Sequence, residues 1–239
     1  MNFFESLWQE IVGFGLVFAQ SFYDNFIAGG RYMEMLNGLG VTLTVSVCAI
    51  LLGVLMGAVT FFFRRSRFSF LRAIGYLYVD IVRGTPLVTQ LFIIYFVVFA
   101  SIHINPVLIG IFAFAFNSGA YVSEIIRAGV LSIDRGQTEA GRSLGLTSGQ
   151  TMTYIVAPQA IKNILPALCN EFVVLIKETA VIGYLAVTDL TKASDIIRSR
   201  TFDPYMPLLT AALIYYIIIK FLTIAISRLE RKLRASDIR

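Results

Sequence analysis

The sequence predicts an all-α, polytopic membrane protein of about five transmembrane helices, and three observations carry that prediction. Hydrophobic residues fill 57% of the 239 positions against 15% charged, with a mean hydropathy of +0.75; a soluble domain of this size cannot cover so much apolar surface. Uncharged runs recur that are long enough to cross about 30 Å of hydrocarbon at about 1.5 Å per helical residue. The arginines gather beside those runs, so the net charge of +5 fits membrane orientation and not a nucleic-acid partner. Cys48 and Cys169 lie far apart in apolar stretches and read as buried thiols, with neither a disulfide framework nor metal-ligand spacing.

Residues 1–37 mix Trp8 and several phenylalanines with Glu5, Glu10, Asp24 and Glu34, and no basic run precedes an apolar core as in a cleavable signal peptide. This segment is expected to lie amphipathically at the interface, anchored by Trp8 and Tyr23. The alternative is a further, weakly apolar span through Ile11 to Ile27. Residues 38–239 then form the transmembrane domain. Gly38 to Phe63 is uncharged and forms the first span, with Ala49, Gly53 and Gly57 recurring every four residues as a face for close helix approach. Arg64, Arg65, Arg67 and Arg72 follow and mark that end as cytoplasmic, which puts the N-terminus outside.

Phe68 to Arg83 reads as an amphipathic connector, after which Thr85 is expected to cap a new helix with Pro86 in its first position. The uncharged stretch Gly84 to Ser123 is about twice what one crossing needs. A turn at Ser101 to Pro106, containing the lone His103, divides it into a second span near Leu87 to Ala100 and a third near Val107 to Arg127. Asn117, Tyr121 and Glu124 share one face of the third span, and such a polar stripe must face protein or a water-filled path. A fourth span, near Ala160 to Leu185, carries Asn170, Glu171, Lys177, Glu178 and Thr179. Charges at mid-membrane cost roughly 2.5–3.5 kcal/mol each, so these must pair, meet water or sit near the outer interface. Asp189 to Pro207 is placed outside, Leu208 to Ile226 is the fifth span, and Arg228, Arg231, Lys232, Arg234 and Arg239 hold the C-terminus in the cytoplasm.

Between the third and fourth spans lies a polar, basic stretch, residues 134–158, which this topology makes cytoplasmic. Gln137 to Leu144 is expected to be helical, closed by Gly145 in a left-handed conformation. Thr147 and Gln150 form a capping-box pattern for a second short helix, and Pro158 marks the return to the membrane or a kink at its edge.

The spacing of Glu139, Ala140, Gly141, Gly145, Ile155 and Pro158 resembles the EAA loop of ABC-importer permeases, with Gly141 in place of the second alanine and Ala157 in place of the usual leucine. The likeness extends to Arg83-Gly84-Thr85-Pro86-Leu87 with Gln90, to Tyr121-x-x-Glu124-Ile-x-Arg127-x-Gly129, to Arg142-Ser143-Leu144-Gly145 and to Asn170-Glu171 with Lys177-Glu178-Thr179. These look like the polar amino acid branch of that family, whose members import histidine, glutamate, glutamine, arginine or opines.

The resemblance implies a type I ABC importer permease fold in a bacterial cytoplasmic membrane, in a subunit that is not an enzyme. Gln137, Glu139, Ala140, Gly141, Arg142, Gly145 and Pro158 would couple it to a dimer of ATP-binding subunits, with the small Ala140 and Gly141 letting that partner approach. No Gly-x-x-x-x-Gly-Lys-Ser/Thr loop occurs in the chain, so ATP and its magnesium are expected on the partner. The other expected partners are a second permease subunit, an extracytoplasmic amino acid binding protein and a polar amino acid. Asn117, Tyr121, Glu124, Asn170, Glu171 and Lys177 are candidates for lining the substrate pathway; each is equally suited to an interhelical hydrogen bond or buried ion pair, Glu124 and Arg127 especially. A stand-alone secondary transporter or channel is the competing class. It would use the intramembrane charges for coupling or selectivity and would have no need of such a loop.

Overall fold

The computed structural model describes residues 3–235, and these are helical with short connections and no strand. α1 (Phe3–Phe22) runs into a π-helical turn, Tyr23–Ile27. α2 (Tyr32–Arg64) is followed by α3 (Ser69–Gly84), α4 (Leu87–Ile93) with a π-helical turn at Ile94–Val98, and α5 (Pro106–Leu131). Two short helices, α6 (Arg135–Ser143) and α7 (Ser148–Thr151), precede a π-helical turn at Met152–Val156. α8 (Ala157–Glu178) continues into 3-10 turns at Thr179–Leu185, and α9 (Leu190–Thr201) and α10 (Met206–Ala235) complete the bundle.

α2, α5 and α10 are each long and apolar enough to cross a membrane. The expected second span is corrected. α4 has 7 residues and its π-helical turn 5, roughly 18 Å of rise in all, too little for about 30 Å of hydrocarbon. It pairs instead with α3 across a 114° bend, as one broken span or a re-entrant loop. α8 has the 22 residues needed for the expected fourth crossing, but it is not among the helices apolar enough to cross on composition. The first span begins at Tyr32, so residues 32–37 belong to it and not to the N-terminal segment. Of the two anchors expected before it, Tyr23 is exposed; the side chain of Trp8 lies outside the described residues, as do the side chain of Arg234 and all of Arg239.

Thr85 is not the cap of α4. Pro86 holds that position, and the Thr85 hydroxyl donates back to the Ile81 carbonyl at 2.8 Å. Gln90 explains the difference: its Nε2 donates to the Val82 carbonyl at 2.7 Å, the Thr85 carbonyl at 3.0 Å and the Thr85 hydroxyl at 2.8 Å. One amide thereby satisfies the carbonyls that the break in the helix leaves without intrahelical partners. The turn at His103 forms as expected, with the Asn105 side chain accepting from the Val107 N–H at 2.9 Å and Pro106 in the first turn of α5. Both cysteines are free and half-buried.

α2 and α5 form the most extensive helix pair, and the small-residue face seen in the sequence is what joins them. A Cβ added at Gly53 would lie 3.1 Å from the Ser118 Cβ, and one at Gly57 would lie 2.5 Å from Val122 Cγ1 and 2.9 Å from the Gly119 carbonyl. Backbones this close exclude any side chain between them. Around this seam Val45, Ala49, Leu91, Ile94, Phe114, Leu175 and Ile182 close the main core. A second cluster, Phe26, Met35, Leu190, Ala193, Ile197 and Met206, packs the other end of α2 against α9 and the start of α10.

Asp203, between α9 and α10, ties α1 to that cluster. It accepts from the Ser21 hydroxyl at 2.6 Å and from Asn25 Nδ2 at 2.7 Å, and its other oxygen accepts from the Tyr205 and Met206 N–H groups at 2.9 and 3.1 Å. Burial alone would raise this carboxyl, but the four donors outweigh it and bring it down to about 2. A carboxyl lowered in the folded state contributes stability that is complete above its ordinary titration, about pH 4, and that is lost as pH falls through the folded value. Asp203→Asn is therefore expected to lower Tm in detergent at pH 7 and to flatten the fall in Tm on acidification from about pH 4; an unchanged Tm profile would show that the tie contributes nothing.

At the α2–α5 seam, Gly57→Val should destabilise the chain by about 1–3 kcal/mol through overpacking. Gly40→Ala, inside the same helix but where an added Cβ meets nothing within 4 Å, is the control and should not lower Tm. Equal effects of the two substitutions would contradict the packing described.

Candidate functional site

Two polar regions stand out from the apolar bundle, and the first runs along α5. Asn117 is buried, and its Nδ2 donates to Gln90 Oε1 at 2.9 Å. Gln90 thereby joins the α3–α4 bend to the middle of α5. One residue on, the Ser118 hydroxyl donates to Glu171 Oε1 of α8 at 2.9 Å. A carboxylate placed among apolar helices requires such a donor. Tyr121 is exposed at 36%, with the Arg83 guanidinium 5.3 Å from its ring centroid.

A turn further along, Glu124 accepts from Arg64 Nη1 at 2.5 Å and from Arg127 Nη2 and Nε at 2.7 and 3.0 Å, while Arg83 Nη1 stands 3.8 Å away. The side chains of Arg64 and Glu124 are 9% and 18% exposed, so α2, α3 and α5 are locked together where their arginines cluster. Of the two roles left open for Glu124 and Arg127, the ion pair is the one the geometry displays. Asn170 and Lys177 are exposed on α8 and enter neither group. The Gln90 bridge has a sequence signal only in its place four residues after Pro86; nothing local to Ser118 announces its bond to Glu171.

The second region is the hairpin of α6 and α7, in which nearly every hydrogen bond is internal. The Asp134 carboxylate caps α6 by accepting from the Gly136 N–H at 2.6 Å. Gly145 closes the helix with φ +84, a conformation open to glycine and costly for a β-branched residue. The Leu146 N–H donates to the Gly141 carbonyl at 3.2 Å and Arg142 Nη1 to the Leu146 carbonyl at 2.6 Å. The capping box is complete: the Gln150 N–H donates to Thr147 Oγ1 at 3.2 Å, and the Thr147 N–H to Gln150 Oε1 at 2.9 Å. Gln159 Nε2 donates to Gln137 Oε1 at 3.1 Å, fastening α6 to α8. Pro158 sits in the first turn of α8 directly after the π-helical turn Met152–Val156, where its missing N–H interrupts the helical ladder.

One expectation about this hairpin changes. Gly141 does not face outward beside Ala140; it is buried, and an added Cβ would lie 2.8 Å from both Thr151 Cγ2 and Ile155 Cδ1. Its small size serves the seating of α6 on the following turns. Gln137, Glu139, Ala140 and Leu144 are among the exposed residues of α6 and its end, the last 80% exposed. An apolar side chain so exposed on a rigid polar hairpin is a feature the sequence pattern did not single out.

Residues 49–235 match the family model of the binding-protein-dependent transport system inner membrane component. The chain is 40% identical over 205 residues to a putative glutamine transport system permease protein of Rickettsia typhi, covering 85% of this chain and 94% of that one. It is 38% identical, with the same coverage, to the arginine transport system permease protein of Bacillus subtilis. Among solved structures it superposes on an amino acid ABC transporter with histidines at a TM-score of 0.82 and 40% identity, covering 87% of this chain and 98% of that one. An inward-facing methionine ABC transporter, at 19% identity and a TM-score of 0.64, shares the fold.

The fold is thus that of an ABC transporter permease, a multi-pass transport subunit of the inner membrane. The chain belongs to the binding-protein-dependent inner membrane component family and, within it, to the amino acid permeases.

Glu124→Gln should cost about 1–3 kcal/mol, because it leaves the buried Arg64 guanidinium without its charged acceptor. Arg64→Met combined with Glu124→Gln should recover part of the loss, and thermal unfolding in detergent reads both. A double variant no more stable than the single one would refute the coupling.

Proposed function

We propose that this chain is the permease subunit of an ATP-driven importer of a polar amino acid, worked through the α6–α7 hairpin by a separate dimer of ATPase subunits. The observation that carries this reading is the hairpin itself. It is a self-braced element whose outward face offers Glu139, the small Ala140 and the exposed Leu144 to another protein. A docking helix needs a shape that does not yield and an apolar anchor within a polar rim, and α6 has both. Gln137, Glu139, Ala140 and Leu144 make the contact, while Gly141, Arg142, Gly145 and Pro158 hold its shape. ATP and magnesium belong to the partner.

The relatives named for glutamine and arginine transport support a polar amino acid as cargo. It is delivered by an extracytoplasmic binding protein to a pair of permease subunits. In alternating access, closure of the ATPase dimer draws the two α6 helices together, and the bundles rock to open outward. Asn117, Tyr121, Glu124, Asn170, Glu171 and Lys177 border the path, with Ser118 and Gln90 fixing two of them. The N-terminus lies outside, with α1 at the interface, and the C-terminus lies in the cytoplasm, by the positions of the arginine clusters.

The test is uptake of labelled glutamine, arginine, histidine and glutamate into proteoliposomes holding the chain, its ATPase and its binding protein. Uptake should require ATP and the binding protein. Glu139→Lys should abolish it in a folded permease, and Leu144→Ala should weaken ATPase binding about tenfold, as expected from exposing part of a leucine contact. Uptake driven by an ion gradient without ATP would overturn the proposal.

A further inference from the structure

Where the first span ends, the structure holds a basic cleft of about 250 Å³ beside the Glu124 ion cluster, with which it shares Arg64 and Arg127. It is lined by Phe61, Arg64, Arg65, Tyr76, Arg127, Val130 and Leu131. Three guanidinium groups therefore line it, and no carboxylate does. Arg64 and Arg127 spend some of their N–H groups on Glu124, one on each carboxylate oxygen. Arg64 Nε, in a side chain that is 9% exposed, is buried without an acceptor. A buried guanidinium N–H left this way costs free energy unless a ligand or water accepts from it. Arg65 lies over the Phe61 ring at 5.7 Å and makes no ion pair among the described residues.

The position of the cleft decides which anion suits it. Arg64 is the last residue of the 33-residue α2, so the cleft sits where that span leaves the hydrocarbon. Its rim is apolar as well as basic: Leu131 is 66% exposed, and Phe62, next to the lining residue Phe61, is 69% exposed. Guanidinium donors at headgroup depth with aliphatic and aromatic groups beside them match a phosphate that carries acyl chains, and match a freely soluble anion less well.

We propose that this cleft binds the phosphate of an anionic phospholipid, with Arg65 and the free N–H groups of Arg64 as donors and Phe61, Val130 and Leu131 against the upper acyl chain. Such a lipid bridges the end of α2 to α5 beside the Glu124 ion cluster. The site takes its ligand from the bilayer and does not depend on the importer reading.

The experiment uses the full chain purified in a neutral detergent, with Tm measured as phosphatidylglycerol, phosphatidylcholine or inorganic phosphate is titrated in. A ligand bound only by the folded state raises Tm with its concentration. Phosphatidylglycerol should raise Tm saturably, and the other two should not. Arg65→Gln, which removes no ion pair, should weaken the apparent lipid affinity about fivefold, the scale of one interfacial arginine. Arg67→Gln removes an arginine of the same cluster that does not line the cleft, and it should leave the affinity unchanged. Equal stabilisation by phosphatidylcholine would overturn the proposal, as would stabilisation by inorganic phosphate alone. Equal weakening by Arg67→Gln would reduce the effect to general surface charge and would also overturn it.

Discussion

The contact between α2 and α5 is the constraint on which the rest of the structure depends. Gly53 and Gly57 on one helix meet Ser118, Gly119 and Val122 on the other with no room for an intervening side chain. In lipid the hydrophobic effect does not drive helices together, so close packing of this kind must supply the attraction. It also sets the register of α5. With Ser118 seated on Gly53, Asn117 reaches Gln90 at the α3–α4 bend, and Glu124 falls beside Arg64 at the end of α2. The polar strip of α5 exists as a strip because the apolar seam fixes where each of its residues lies.

That dependence explains what could be read in the sequence. The small-residue face of α2, the capping box at Thr147, the left-handed Gly145 and the turn before Pro106 were legible because each is a local pattern with a local cause. The second span takes a bent form that hydropathy does not show, for a physical reason. Hydropathy registers that residues 87–98 are apolar, but it cannot register that a glutamine amide turns back to satisfy the carbonyls of the preceding helix and lets the chain bend there. The seat of Gly141 was also hidden, since helical periodicity does not reveal which side of α6 the later turns will cover. The partners of Asn117, Ser118 and Glu124 lie 27, 53 and 60 positions away in sequence, and only the assembled bundle brings them together.

Charge is distributed over the bundle in a consistent way. Glu171 is satisfied by Ser118 of another helix, and Glu124 by Arg64 of α2 together with Arg127 of its own helix. Carboxylates at helix starts, Asp134 and Asp189, cap the helices that follow them. Glu124 and Glu171 are thus carried among apolar helices by named partners. The basic residues at the ends of the spans have more donors than these carboxylates can accept.

The internal bracing of the hairpin also has a mechanical meaning. Its cap, its left-handed closure, its capping box and the Gln137–Gln159 bond all lie within residues 134–159. Its shape is thus set by bonds within this short stretch, which includes the first turn of α8. An element of this kind has low compliance. The Gln137–Gln159 bond and the seat of Gly141 against Thr151 and Ile155 join α6 to the first turns that follow it. α6 and the start of α8 therefore form one connected unit, in which the position of either fixes that of the other.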